Sequence, residues 1–142
     1  MIAVRRVLGF VFVGAVAACS GGEGANTAAW VGNWSSSGTQ STTCGTATST
    51  SEITGVVVIV AGMEVPDSIV MTMETCVIQS DIVGAKATAG SQVCTLNAAG
   101  TNVTVTWTEI SATLSGSTIT GTNTGSTNTG CSFSQQYKLT KM

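Results

Sequence analysis

The stretch "TNVTVTWTE", residues 101 to 109, alternates apolar and hydroxylated side chains without interruption. Val103, Val105 and Trp107 share one face of an extended chain, and the threonines between them share the other. Successive side chains of a β-strand point to opposite sides of its sheet, so this pattern predicts a strand with one buried face.

Similar alternation recurs on both sides of this stretch. The final run places Phe133 and Tyr137 on one face, and further strands are predicted near 30–36, 53–61, 68–78, 91–97 and 111–122. The breaks between them are predicted at "GMEVPD", "GAKATAG", "NAAG" and "LSGST". A composition rich in Thr, Ser and Val favours strands over helices. We therefore predict one all-β domain over residues 30–142, an antiparallel meander of about eight strands closed into a small barrel, with a β-sandwich as the alternative.

One segment has a very restricted composition. The stretch "GSTITGTNTGSTNTGC", residues 116–131, contains almost only Thr, Asn, Gly and Ser. Clusters of these residues are typical of turns and loops, so we predict a hairpin with a long, mobile tip here.

The N-terminal segment has the composition of an export signal. In "MIAVRRVLGFVFVGAVAAC", Arg5 and Arg6 precede an apolar run over 7–18. That run is too short to span a bilayer as a permanent helix. Residues 1–18 are therefore predicted to be a signal peptide.

The end of this segment resembles a known modification site. Val16, Ala17, Ala18 and Cys19 resemble, position by position, the lipobox of bacterial lipoproteins. The resemblance implies that Cys19 receives acyl chains such as palmitate, becomes the mature N-terminus and anchors the protein in a lipid bilayer. The alternative is an ordinary signal peptide cut near Ala18, with Cys19 incidental or in a disulfide.

The residues after Cys19 extend this expectation. The small and polar segment "SGGEGANTAA" is predicted to continue a flexible tether over 19–29. In Gram-negative lipoproteins an aspartate after the lipidated cysteine usually signals inner-membrane retention, and Ser20 stands there instead. The resemblance therefore implies the outer membrane, at its periplasmic or surface face, in a host that has one.

Charge and residue types restrict the function. Loss of Arg5 and Arg6 with the signal leaves three lysines against seven acidic residues, a net charge of −4, which disfavours nucleic acid as a partner. The chain has no histidine and its acidic residues are scattered, so no triad and no clear pair of catalytic carboxylates is present in the sequence. We predict a protein that is not an enzyme and uses neither metal nor cofactor.

Four cysteines remain after Cys19, which is an even number in an exported chain. They predict two disulfides among Cys44, Cys76, Cys94 and Cys131. Three pairings are possible. Cys76 and Cys94 fall in alternating runs on either side of a turn and could face each other across neighbouring strands, which pairs Cys44 with Cys131 by elimination.

The start of the domain carries a second resemblance. In "WVGNWSSSG", Gly32, Asn33 and Trp34 look like the GxW signature on the first strand of lipocalins and avidins. The resemblance implies an eight-stranded barrel with Trp34 at its closed end, beneath a basic residue of the last strand, here Lys138 or Lys141. The same start is also similar to that of small bacterial periplasmic metalloprotease inhibitors.

The mature chain as a whole is similar to small, Thr-rich, four-cysteine lipoproteins of myxobacteria. These proteins also run from a "GxW" start to an aromatic strand that ends in Lys or Arg. The similarity implies fold and location and identifies no activity.

Two classes of function remain open from the sequence. The barrel is either a binding or surface interaction module for another protein, such as an inhibitor, or a carrier of a small apolar ligand. In a carrier, the candidate pocket residues are Met71, Met73, Val58, Val105, Trp107, Phe133 and Tyr137. Soft methionines suit an adaptable pocket, although all of these side chains could simply fill the core. An internal cavity is the observation that would favour the ligand.

Overall fold

A computed structural model describes residues 27–63, 67–73, 75–98 and 100–142. The predicted signal peptide, the lipobox with Cys19 and the first part of the predicted tether lie outside these ranges.

The described chain consists almost entirely of strands. A short helix over residues 27–30 precedes them. The nine strands are β1 Gly32–Cys44, β2 Ala47–Ala61, β3 Ser68–Met73, β4 Cys76–Val83, β5 Lys86–Ala89, β6 Gln92–Ala98, β7 Thr101–Ser115, β8 Thr118–Thr127 and β9 Cys131–Lys141.

The strands form one antiparallel sheet that closes on itself. Its order is β5-β4-β3-β2-β1-β9-β8-β7-β6, and a further pairing of β5 with β7 completes the circle. Eight strands therefore make a closed barrel, and β6 is an extra strand beside β7. The predicted antiparallel barrel is confirmed, and the sandwich alternative is wrong because a closed sheet has no two separate layers.

β5 and β6 follow a single register along β7. Lys86 of β5 lies opposite Thr113 of β7, and Ala98 of β6 lies opposite Thr101 of β7. The stretch "GAKATAG" was expected to be a break, yet it contains β5. A short turn at Gly84, where φ is +61°, is enough to connect β4 to β5. Ala87 of β5 is buried in the core, which its small side chain does not indicate from the sequence.

Two of the predicted strands are each divided by a tight turn. The segment predicted near 68–78 forms β3 and β4, and Met73 lies directly opposite Cys76. The segment predicted near 111–122 ends β7 and begins β8, and the turn at Gly116 lies in the predicted break "LSGST". The turn between β3 and β4 was not predicted, because alternation of apolar residues continues across it and period-two patterning alone does not separate the two strands.

The Thr-, Asn- and Gly-rich stretch is a regular strand, so the predicted long mobile tip is wrong. β8 pairs with both β7 and β9 along most of its length. Gly121 and Gly125 permit this, because a Cβ at either position would overlap the ring of Tyr137 or Phe133. The glycines therefore accommodate inward-facing rings of the neighbouring strand.

One end of the barrel is closed by two tryptophans. Trp30 and Trp34 are fully buried, and Trp34 Nε1 donates a hydrogen bond of 2.9 Å to the carbonyl oxygen of Trp30. Burial of Trp34 at this end is as the GxW resemblance implies. Residues 27–29, predicted as the end of the tether, lie in the short helix that carries Trp30.

The other end of the barrel is uneven. β3 ends at Met73 and β4 begins at Cys76, whereas the hairpin of β1 and β2 continues to its turn after Cys44. β2 pairs with β3 only over residues 58–61. The wall is therefore low at the β3–β4 turn and high at β1, β2 and β9.

Candidate functional site

A pocket lies at the uneven end of the barrel, beside the low β3–β4 wall. We call it the outer pocket; its volume is about 180 Å³. β2 contributes Val57 to its lining, the β3–β4 turn contributes Met73 and Cys76, and the opposite side is formed by Leu96 and Trp107. The lining is mainly apolar.

A smaller cavity of about 50 Å³, the inner pocket, lies next to it. Met71, Asn123 and Tyr137 are among its lining residues. Ser36 and Gln135 line both pockets. The shared lining makes the two pockets adjoining parts of one interior.

A chain of side-chain amides leads to the inner pocket. Asn123 Nδ2 donates to Gln135 Oε1 at 3.2 Å, and Gln135 Nε2 donates to Gln40 Oε1 at 2.7 Å. Gln40 Nε2 in turn donates to Thr42 Oγ1 at 3.0 Å. Asn123 is 2% exposed, and its Oδ1 has no hydrogen-bond partner. The chain therefore ends in a buried acceptor.

The wall between β4 and β6 is closed by side chains. Cys76 forms a disulfide with Cys94. The Gln92 amide accepts a 2.9 Å hydrogen bond from Gln79 N and donates one of 2.7 Å to Gln79 O. Thr75 Oγ1 donates to the carbonyl oxygen of Thr95 at 3.1 Å. These contacts make a seam beside the outer pocket, which we call the β4–β6 seam.

The second disulfide joins Cys44 to Cys131 at the far end of β1 and β9. These two residues lie directly opposite each other in the ladder. Both predicted pairings are therefore confirmed.

Trp107 is held in place at the outer pocket. Its Nε1 lies 3.4 Å from Cys94 Sγ, to which it donates a weak hydrogen bond. Its ring meets that of Phe133 edge to face, with 5.0 Å between centroids and 84° between planes. Such edge-to-face contacts add to the stability that burial alone supplies, so they fix the orientation of the Trp107 ring in the lining of the outer pocket.

The two pockets are electrically neutral. Among the described residues no charged side chain lines either one. The only titratable group in the lining that has a resolved shift is Tyr137, whose pKa burial raises from 10.0 to about 12. Its phenol therefore stays neutral at physiological pH.

The structure separates the predicted pocket residues into three groups. Four of them line the pockets: Met71, Met73, Trp107 and Tyr137. Val105 and Phe133 are buried in the core and do not belong to the lining. Val58 is 40% exposed on the outer face of β2, so its prediction is wrong; the inward positions of β2 are its neighbours.

The sequence analysis missed the polar residues of the site. Ser36, Asn123 and Gln135 face inward on β1, β8 and β9. Gln135 could have been found, because it shares the parity of Phe133 and Tyr137 in the last run. Asn123 could not, because the repetitive composition of β8 hides which residues face the core.

Within the described ranges, no group of three or more His, Cys, Asp or Glu residues is arranged to hold a metal ion. No helix in this part of the chain is long and apolar enough to cross a membrane. Of the scattered acidic residues, Glu74 lies outside the described ranges, and Glu109 is exposed on β7.

No protein-family model matches the sequence, and no curated protein or solved structure is significantly similar to it. Function is therefore inferred from the fold and the pockets.

Proposed function

We propose that this chain is an exported lipoprotein whose barrel is a non-catalytic binding module for a small ligand. Acylated Cys19 anchors it to a bilayer, which is the outer membrane in a host that has one. The observation that carries the anchor is the cysteine pairing. Cys44–Cys131 and Cys76–Cys94 use all four cysteines beyond Cys19. Cys19 therefore has none of them as a partner, which supports the lipobox over a disulfide role.

The anchor and the disulfides are consistent with one location. Disulfides persist in oxidising compartments outside the cytosol, which a signal peptide reaches. One acyl chain binds a membrane only marginally, whereas two or more make a durable anchor. The lipid-modified cysteine of a lipoprotein meets that requirement without any membrane-spanning segment.

The pockets favour a small ligand over a protein partner. An interior that is partly open and mainly apolar is the usual form of a ligand site, and a filled core is not. The described lining offers no group that titrates near neutrality, which a general acid or base requires. Binding without catalysis is therefore the function that this chemistry supports.

Metabolic labelling tests the anchor directly. Wild-type protein should incorporate a clickable palmitate analogue and fractionate with membranes, and Cys19→Ser should lose both properties. Ser20→Ala is the matched control and should retain the label. Label in the Cys19→Ser protein, or a wild type whose mature N-terminus is unmodified by mass spectrometry, would refute the anchor.

A further inference from the structure

We infer that the two adjoining pockets bind a neutral, single-ring compound that carries one hydroxyl group. The ring occupies the outer pocket, and the hydroxyl donates a hydrogen bond to Asn123 Oδ1 in the inner pocket. This inference rests on the proposed binding function and specifies its ligand class.

The side-chain oxygen of Asn123 is buried and has no hydrogen-bond partner. Buried polar atoms in folded proteins are nearly always hydrogen-bonded, because leaving one without a partner is unfavourable. Among the described residues, the other buried side-chain atoms without a partner are Asp67 Oδ1 and Ser80 Oγ. Neither of those residues lines the outer or the inner pocket, whereas Asn123 lines the inner pocket. Its oxygen is therefore placed to accept from a ligand.

The amide chain determines which kind of group the ligand must present. One N–H of Asn123 Nδ2 is donated to Gln135 Oε1, and one N–H of Gln135 Nε2 is donated to Gln40 Oε1. Both amide nitrogens therefore have a partner on the side of the open end. The atom of Asn123 that has no partner is its oxygen, an acceptor, so a ligand that satisfies it must supply a donor.

The volume of the outer pocket limits the apolar part of the ligand. An apolar cavity of about 150 Å³ holds one benzene molecule, and the outer pocket measures about 180 Å³. Met73, Leu96 and Trp107 line it. A single six-membered ring fits this space and gains edge or face contact with the indole.

Neutrality of the lining excludes charged ligands. A charge moved from water into these pockets would lose its hydration without gaining a counter-ion from the described lining. A carboxylate would also place an acceptor against the acceptor of Asn123. A hydroxyl is neutral and donates, so it meets both requirements.

Phenol and toluene test this assignment, because they have nearly the same shape and differ in the donor. Calorimetric titration of the purified full chain, with both disulfides intact and at pH 7, should show that each binds. In Asn123→Leu the affinity for phenol relative to toluene should fall by about fivefold to tenfold, the loss of one net hydrogen bond. Thr122→Val, on the outer face of the same strand, should leave the ratio unchanged.

A second variant locates the binding. Ser36 is buried and lines both pockets, so Ser36→Leu should fill the interior and abolish binding of both compounds. Thermal melts establish that each variant is folded. If Asn123→Leu does not fold, Asn123→Ser, which withdraws the acceptor, should lower the same ratio.

The outcomes separate this inference from the proposed function. An unchanged phenol-to-toluene ratio in Asn123→Leu would overturn the hydroxyl assignment and leave a small-ligand pocket. Failure of wild-type protein to bind either compound would overturn the assignment of a single-ring ligand to these pockets. Neither result bears on Cys19 labelling, which tests the anchor by itself.

Discussion

The ammonium group of Lys141 lies 5.4 Å from the centroid of the Trp34 ring. The two residues are opposite each other in the ladder of β1 and β9. Gly32 makes room for this contact: its φ is +141°, and a Cβ there would lie 3.3 Å from Lys141 Cε. The first and last strands thus close one end of the barrel together, and Lys141 rather than Lys138 is the basic residue over the tryptophan.

At the closed end, loss of Trp34 should destabilise the barrel much more than loss of Lys141. Trp34→Ala should lower the free energy of unfolding by about 3–5 kcal/mol, the usual loss for a buried aromatic. Lys141→Met should cost only about 0.5–1 kcal/mol, because an exposed cation–π contact is weak. Urea denaturation followed by circular dichroism measures both. Equal losses in the two variants would contradict the burial described here.

Tyr137 provides a pH-dependent signal. It is the only tyrosine, and burial raises its pKa to about 12, so absorbance at the tyrosinate band should rise only as the pH approaches that value. The unfolded chain ionises at its ordinary value of 10.0. The contribution of the Tyr137 phenol to the free energy of unfolding is therefore fully present below pH 10. It falls by about 2–3 kcal/mol as the pH rises towards 12.

Tyr137→Phe is the control for this titration. It should abolish the tyrosinate signal and remove that part of the alkaline loss of stability. A wild-type absorbance midpoint near pH 10 would show that the phenol is accessible to water.

The two disulfides should differ in what their removal does. Cys44 and Cys131 are 87 residues apart, and Cys76 and Cys94 are 18 apart. In the loop-entropy model, replacing the first pair by alanine should cost about 1.4 kcal/mol more than replacing the second, before the loss of packing at the buried Cys76.

For local opening of the sheet, removal of the Cys76–Cys94 disulfide should have the larger effect, which is the opposite of the order expected for global unfolding. The Cys76–Cys94 disulfide crosses the β4–β6 seam, where side chains of Gln92 and Thr75 make the other contacts. Cys44 and Cys131 lie in a complete backbone ladder. Amide hydrogen exchange of β6 should therefore accelerate more in Cys76→Ala/Cys94→Ala. Faster exchange in the other double variant would show that the seam does not depend on its disulfide.

Gly121 of β8 should be required, because the Tyr137 ring leaves no room there for a side chain. In Gly121→Ala the new methyl would lie 2.8 Å from the Ser111 carbonyl oxygen and overlap the Tyr137 ring. Overpacking of this kind costs about 1–3 kcal/mol. Gly90→Ala is the matched control, because a Cβ there meets nothing within 4 Å. Equal melting temperatures for the two variants would mean that the sheet yields easily at Gly121.

Much of the barrel follows from local pattern. Alternation in residues 101–109 and in the last run correctly predicts the inward faces of β7 and β9, with Trp107 and Phe133 buried. Period two is a property of the extended backbone itself, so it survives without knowledge of the neighbours. The same pattern predicts the Cys76–Cys94 disulfide, which is confirmed, but it places the two cysteines on neighbouring strands, which is wrong because β4 and β6 share no backbone ladder.

The parts that failed depend on neighbours distant in sequence. Nothing local in "GSTITGTNTG" distinguishes a mobile tip from a strand; the Tyr137 and Phe133 rings that fill the space over Gly121 and Gly125 belong to β9. The inward placement of Val57 instead of Val58 likewise depends on the register of β2 against β1. A shift of one residue exchanges the two faces of a strand.

The fold class, the favoured disulfide pairing and the candidate anchor at Cys19 can all be predicted from the sequence, because each depends on residue type and spacing. The tertiary structure was needed to show the pockets and to show that Asn123, whose side-chain oxygen has no hydrogen-bond partner, lines the inner one. Ser36, Asn123 and Gln135 come from three different strands. A cavity is the space that such strands leave unfilled, so it depends on their register and on the closure of the barrel.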